Sequence, residues 1–196
     1  MRFFLLNVLG NANDESLCFL DNFVKGIESS AWRVGSGEPF GSEYIQDARI
    51  YMNPENPGIK LSSFLGNTRN MVVGSKELKA AIEKHCPSGI EYLPFTLYDH
   101  RGRVYSRDYF IINPIGTFDC LDFKASQIVW DDEDPNEIIS IRTRVLDLNK
   151  MKDAPQLFRI DRSPSSYVLG LELVRELKSQ GFTNIRLSEL NFSDNP

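Results

Sequence analysis

Cysteine and histidine are scarce in this chain of 196 residues, and each scarcity removes a class of chemistry. Three cysteines, Cys18, Cys86 and Cys120, lie far apart with no C-x-x-C pair. An odd, scattered set argues against a disulfide framework or a zinc site and fits buried thiols in a reducing compartment. His85 and His100 are the only histidines. His85 stands beside Cys86 at the end of an expected helix, where sequence neighbours do not face each other as a nucleophile and base must. No G-x-S-x-G, H-E-x-x-H, P-loop or G-x-G-x-x-G pattern occurs. No apolar run reaches the length of a membrane span. Gly and Pro number only 13 and 10, against 41% hydrophobic and 25% charged residues, which excludes collagen, coiled coil and disorder. Bases are also in deficit, with 22 Lys plus Arg against 27 Asp plus Glu. General nucleic-acid binders draw most of their affinity from phosphate neutralisation, so an acidic chain points away from them.

The excess acid is concentrated. Between Asp119 and Glu137 stand seven acids and one base, a local net charge of −6 against −5 for the whole chain, so everything else together carries +1. Within that stretch Asp131-Asp132-Glu133-Asp134-Pro135-Asn136-Glu137 follows Trp130 directly. Adjacent like charges repel unless a cationic partner compensates, although a solvated loop has the same composition. An aromatic anchor beside dense negative charge suits rapid, specific approach to a basic surface. Trp130, Asp131, Asp132, Glu133, Asp134 and Glu137 are therefore the candidate binding residues. Asp119 and Asp122 read as turn and capping residues rather than metal ligands.

Arg2, the run Phe3 to Leu9 and Gly10-Asn11-Ala12 imitate a secretory signal, but Asn7 interrupts the run and the segment reads as an opening strand. The first seventy residues are rich in turn signals and poor in helical periodicity, which suits short strands and loops; a brief helix around Phe19 to Ile27 is the alternative there. Met71-Val72-Val73 reads as a buried strand broken by Gly74. Ser75 then caps a helix over Lys76 to His85, with Leu78, Ala81, Ile82 and His85 on one face. Ile90 to Tyr98, the turn Asp99-His100-Arg101-Gly102 and Arg103 to Asn113 form a hairpin. Arg101, Arg103 and Arg107 interleave there with Tyr98, Tyr105 and Tyr109, a pattern shared by RNA-stacking surfaces and solvated sheet faces. Ser126 to Trp130 and Ile138 to Leu146 read as strands, the second with Ile139, Ile141, Thr143 and Val145 inward and an arginine-bearing outer face. Leu157 to Ile160 is a strand, Ser163 to Ser166 offers caps for a helix over Tyr167 to Ser179, Gly181 ends it, and Ile185 to Leu187 returns as a strand. The fold expected is α+β: an antiparallel or mixed sheet, two principal helices and a strand- and loop-rich N-terminal portion. Residues 1–196 are expected as one domain, with 1–70 as an N-terminal subdomain and 71–196 as the α+β core in the alternative division.

From Ser75 onward a series of motifs stands in order: Ser75-x-Glu77-Leu78, Ile90-Glu91-Tyr92-Leu93-Pro94, Tyr109 through Ile115 with Asn113-Pro114, Asp119-Cys120-Leu121-Asp122-Phe123 with Ser126, Leu157-Phe158-Arg159-Ile160, and a last helix running into Gly181-Phe182. Over about Ser75 to Leu190 the chain resembles immunity protein family eleven, the small cytoplasmic antitoxins of polymorphic-toxin and secreted-effector systems. The resemblance implies a cytoplasmic protein that neutralises a cognate toxin, encoded beside it, by tight non-catalytic binding. It implies no cofactor, metal or catalytic residue, and neither nucleic acid nor membrane as partner. Asn113, Pro114, Asp119, Cys120, Leu121 and Asp122 read as fold determinants. Homodimerisation through a strand edge is compatible with the sequence, which does not select it. Two other readings stay open: a small-molecule enzyme or sensor using Asp119, Asp122 and the Arg-Tyr hairpin, and an adaptor accompanying a secreted effector.

Overall fold

The computed structural model describes residues 1–20, 24–135 and 137–193. Its opening strand β1 (Phe3–Asn7) is followed by β2 (Phe19–Leu20), a five-residue helix α1 (Trp32–Ser36), β3 (Arg49–Tyr51) and β4 (Gly66–Asn67). The helix expected around Phe19 to Ile27 falls partly on residues 21–23, outside the described residues; its flanks are β2 and a bridge from Lys25 to Arg49. β5 (Val72–Ser75) runs through Gly74, which pairs with Phe110 rather than ending the strand. A Cβ at Gly74 would stand 2.9 Å from both Ile112 Cδ1 and Leu78 Cδ2, so the missing side chain serves packing and not a break. Ser75 caps α2 (Lys76–His85) by accepting the Leu78 N–H at 3.3 Å, and Leu78, Ala81 and Ile82 form its buried face. β6 (Ile90–Tyr98) and β7 (Val104–Pro114) make the expected hairpin. Together these strands form a mixed sheet of order β3-β6-β7-β5.

β8 (Gln127–Trp130), β9 (Ile138–Thr143) and the short β10 (Val145–Leu146) come next, then β11 (Leu157–Ile160) and β12 (Ser163–Gly170). α3 covers Leu171–Ser179, four residues later than the periodicity predicts, because Tyr167, Val168 and Leu169 are strand residues buried between β1 and β11. Its N-cap is Gly170, and none of Ser163 to Ser166 caps it. β13 (Arg186–Glu189) and β14 (Asn191–Phe192) complete the described chain. The second sheet has order β11-β12-β1-β13, placing the first strand between two of the last.

α2 packs on the first sheet, α3 on the second, and the helices pack on each other with Lys84 and Glu176 paired at 2.8 Å. Phe4, Leu6, Val72, Ile112, Leu169 and Leu173 share the apolar core between them. A second core joins Cys18, Ile50 and Leu65 of the N-terminal portion to Leu93, Leu97 and Ile111 of the first sheet. A third lies on the other face of the β1 sheet, where Phe3, Phe158 and Val168 meet Cys120, Leu121, Leu146 and Met151. Each fully buried side chain of this size contributes about 1.5–3 kcal/mol of transfer free energy.

One charged residue sits where these parts meet. Arg159 on β11 is 0% exposed and donates to Pro114 O (2.8 Å), Gly35 O (3.1 Å), Pro164 O, Val34 O and Asn113 Oδ1 (2.9 Å). All five guanidinium N–H groups are thereby satisfied, and the Tyr167 ring lies 4.4 Å away. Gly37, at φ +80°, ends α1 against it; a Cβ there would come 2.8 Å from Arg159 Cδ. Asn113 and Pro114 therefore act on the fold through this arginine.

Candidate functional site

The acidic run forms the tip of the hairpin between β8 and β9. Trp130 pairs with Ile138 and Val129 with Ser140, so Ile139 is an extra, bulged residue. The bulge turns Ile139, expected inward, to 61% exposure, while Ile138 packs against the third core; Ile141 is 8% exposed as expected, whereas Thr143, expected inward, is exposed and Arg144, expected on the outer face, is half-buried. A further register shift follows at Arg142, and the strand breaks at Arg144 before Val145 pairs with Asn191 in a separate ladder.

Beneath the tip, Trp130 is half-buried, its ring edge-on to Phe123 at 5.7 Å. The Arg162 guanidinium lies 5.9 Å from the Trp130 centroid and 5.4 Å from that of Phe123. Phe123 continues the Asp119-Cys120-Leu121-Asp122 segment, which forms the platform for the hairpin. Cys120 and Leu121 are buried, Leu121 bridges to Leu146, and Asp122 Oδ1 accepts the N–H groups of Ala125 (3.0 Å) and Lys124 (2.9 Å). Those amide bonds hold the Asp122 carboxyl below the usual carboxylate range. Asp119 pairs with Lys150 at 2.8 Å.

At the tip, Asp131 N donates to Glu137 O and Glu137 N to Asp134 O, both at 2.9 Å. Asp131 Oδ1 accepts from Asp134 N (2.9 Å) and Glu133 N (2.7 Å), and these bonds depress its pKa. Asp131 thus organises the turn. Asp132, Glu133, Asp134 and Glu137 are exposed, and Asp132, Glu133 and Glu137 make no ion pair among the described residues. Asn136 lies outside the described residues. The structure therefore brings Trp130, Asp131 to Asp134 and Glu137 together, and separates from them Asp119 and Asp122, which are neutralised or capping below. Sequence reasoning missed Ile139, Phe123 and Arg162; a bulge and two long-range ring contacts leave no local signal.

Several other residues singled out in the sequence are engaged within the fold. Tyr109 donates to Ser62 O (2.7 Å), Tyr98 stacks on Tyr51 at 5.0 Å, and Arg103 pairs with Asp99 at 2.7 Å, so the Arg-Tyr hairpin is spent largely on packing and on its own turn. His100 Nε2 lies 3.0 Å from Asn53 O and 2.9 Å from Asn56 O. Burial pushes the thiols up, Cys86 to about 11 and Cys18 and Cys120 to about 12, away from reactive thiolate. Among the described residues no group of three or more His, Cys, Asp or Glu is arranged to hold a metal ion, and no helix is long and apolar enough to cross a membrane.

A family model described as the immunity protein family (Imm11) matches residues 20–191, which takes in most of the N-terminal portion as well as the segment from Ser75. No curated protein matches the chain.

Proposed function

The chain belongs to the immunity protein family (Imm11), and from that membership we propose that it neutralises a cognate bacterial toxin by tight, non-catalytic binding, presenting its acidic hairpin to a basic toxin surface. The observation that carries the acidic contact is the set of exposed carboxylates of Asp132, Glu133 and Glu137, without ion-pair partners on a turn already ordered by Asp131. A preorganised loop loses little conformational freedom on binding, and uncompensated charge steers a cationic partner toward it. Trp130 supports the tip from below, and exposed Ile139 adds an apolar contact beside the charge. A nuclease cleft, built to attract phosphate, is the kind of basic surface that fits. The partner in this reading is a toxin or effector encoded nearby, met in the cytoplasm.

We also read residues 1–196 as one immunity-type unit. β1 pairs with β12 and β13, and Arg159 bonds Val34 and Gly35, so the N-terminal portion shares strands and core with the rest.

The test is to combine the protein with the product of the neighbouring gene and measure protection and association at low and high salt. Reversing Asp132, Glu133 and Glu137 to Lys is expected to slow association at low salt by about tenfold or more, the scale of electrostatic steering. Tight binding untouched by that reversal removes the hairpin from the mechanism; absence of binding and of protection removes toxin neutralisation.

A further inference from the structure

Beside β1 lies a cleft of ≈ 560 Å³ whose chemistry is unlike that of the acidic hairpin. Its lining includes Arg144 at the break between β9 and β10, Ser165 and Ser166 of β12, Asn7 of β1, Ser188 of β13 and Asn70. Among the described residues no acidic side chain lines it.

Arg144 is half-buried, yet it is treated differently from Arg159. Its Nη1 donates to Ile141 O at 3.3 Å and its Nη2 to Ser166 Oγ at 3.1 Å, while Nε is buried without a partner. Among the described residues no carboxylate pairs with it. Burial lowers its pKa, with no compensating anion. A guanidinium partly withdrawn from water, short of both hydrogen-bond acceptors and counter-charge, is an electrostatic deficit that an anion in the cleft would correct. The surroundings are prepared for one. The hydroxyls of Ser165 and Ser188 have no protein partner among the described residues, and Asn7, whose Oδ1 accepts the Leu9 N–H, keeps its amide nitrogen unengaged.

We propose that this cleft is a binding site for a carboxylate group, held by Arg144 with the serine hydroxyls and asparagine amides completing its shell. One guanidinium supplies one positive charge, which a carboxylate balances and a phosphate dianion exceeds. Carboxylate oxygens also accept charge-assisted hydrogen bonds from the guanidinium N–H groups not taken by Ile141 and Ser166. The carboxylate comes either from a small metabolite or from an Asp or Glu side chain of a bound partner, and the chemistry at Arg144 is shared.

Titration of isotope-labelled protein with sodium acetate at constant ionic strength, followed by heteronuclear NMR, tests the site on the free chain. It therefore stands or falls separately from toxin binding. Saturable shifts are expected at the amides of Ser165, Ser166, Ser188 and Asn70. R144Q should abolish them, and R144K should weaken binding about tenfold, the worth of one charge-assisted hydrogen bond. If R144Q loses its dispersed spectrum, S165A and S188A, which remove exposed and unpartnered hydroxyls, are expected to weaken acetate binding while the fold persists. Shifts that fail to saturate in the unmodified protein, or affinity unchanged in the folded variants, overturn the proposal. Inorganic phosphate binding more tightly than acetate overturns the carboxylate assignment. A capped Gly-Glu-Gly peptide that binds at least as well as acetate supports a partner side chain as the source; exclusion of that peptide with acetate still bound supports a small metabolite.

Discussion

The seam around Arg159 and the tip of the acidic hairpin handle charge in opposite ways. In the seam a single positive charge is wholly withdrawn from water, and its donors are matched one for one by neutral oxygens from three separate parts of the chain. At the tip, carboxylates crowd together in solvent; Asp131 is tied to the turn amides, while Asp132, Glu133 and Glu137 make no ion pair among the described residues. The first arrangement makes the fold depend on one side chain, because removing it strands buried acceptors. The second makes little of the fold depend on the charges of Asp132, Glu133 and Glu137, which leaves those three available to a partner. A charged residue is informative about function when the fold does not use it.

The largest expected break in this contrast comes from Arg159→Met. Five oxygens, three of them in fully buried bonds, lose their donor together, and a loss exceeding about 4 kcal/mol is expected in urea denaturation, enough to unfold a marginal domain. Retention of near-native stability would show that the seam tolerates unpaired acceptors. Tyr167→Phe keeps the ring under Arg159 and removes only the hydroxyl that donates to Asn70 O at 2.6 Å; a loss of about 1 kcal/mol is expected by the same measurement. At the hairpin, the Asp132, Glu133 and Glu137 to Lys reversal should leave stability within about 0.5 kcal/mol, whatever it does to binding. A larger loss would move those carboxylates into the fold-determining class. The smallest effect concerns Asp131. Its folded pKa is depressed by the Asp134 and Glu133 amides, so its contribution is complete above the ordinary carboxylate range and is lost as pH falls through the depressed value. The amides of Glu133 and Asp134 should therefore titrate by NMR below the ordinary carboxylate range, and Asp131→Asn should abolish that transition. Titration at an ordinary midpoint would deny Asp131 its role in the turn.

Local signals read true wherever the structure answers to neighbours in sequence. Ile90 to Tyr98 alternates, turns at Asp99 to Gly102 and returns, and the folded hairpin is the same. Ser75 caps Lys76 to His85 because the cap needs only the next turn of chain. The failures mark long-range competition. Val168, Leu171, Val174 and Leu177 are spaced as for a helix, yet pairing with β1 and β11 draws Tyr167 to Gly170 into a strand. One bulged residue, Ile139, upsets a parity that alternation alone assigns wrongly. Arg159 looks like any polar position in a short strand, since its acceptors at residues 34, 35, 113, 114 and 164 are gathered only by folding. The charge density of the candidate site was legible, but the division of labour within it was not: which acids are free follows from amides and ion pairs that composition does not record.

The position of β1 has a consequence in time. Phe3 to Asn7 hydrogen-bonds to strands that end near residues 170 and 189, so the second sheet cannot close around its central strand while the ribosome is still short of them. At roughly 5–20 residues per second, the leading strand waits on the order of ten to thirty seconds for its partners. Pairings this distant along the chain also place the molecule among the slower folders. Until the residues of β12 and β13 have been made, β1 is a short apolar strand with both edges bare, and anything that depends on the finished sheet begins only after that delay.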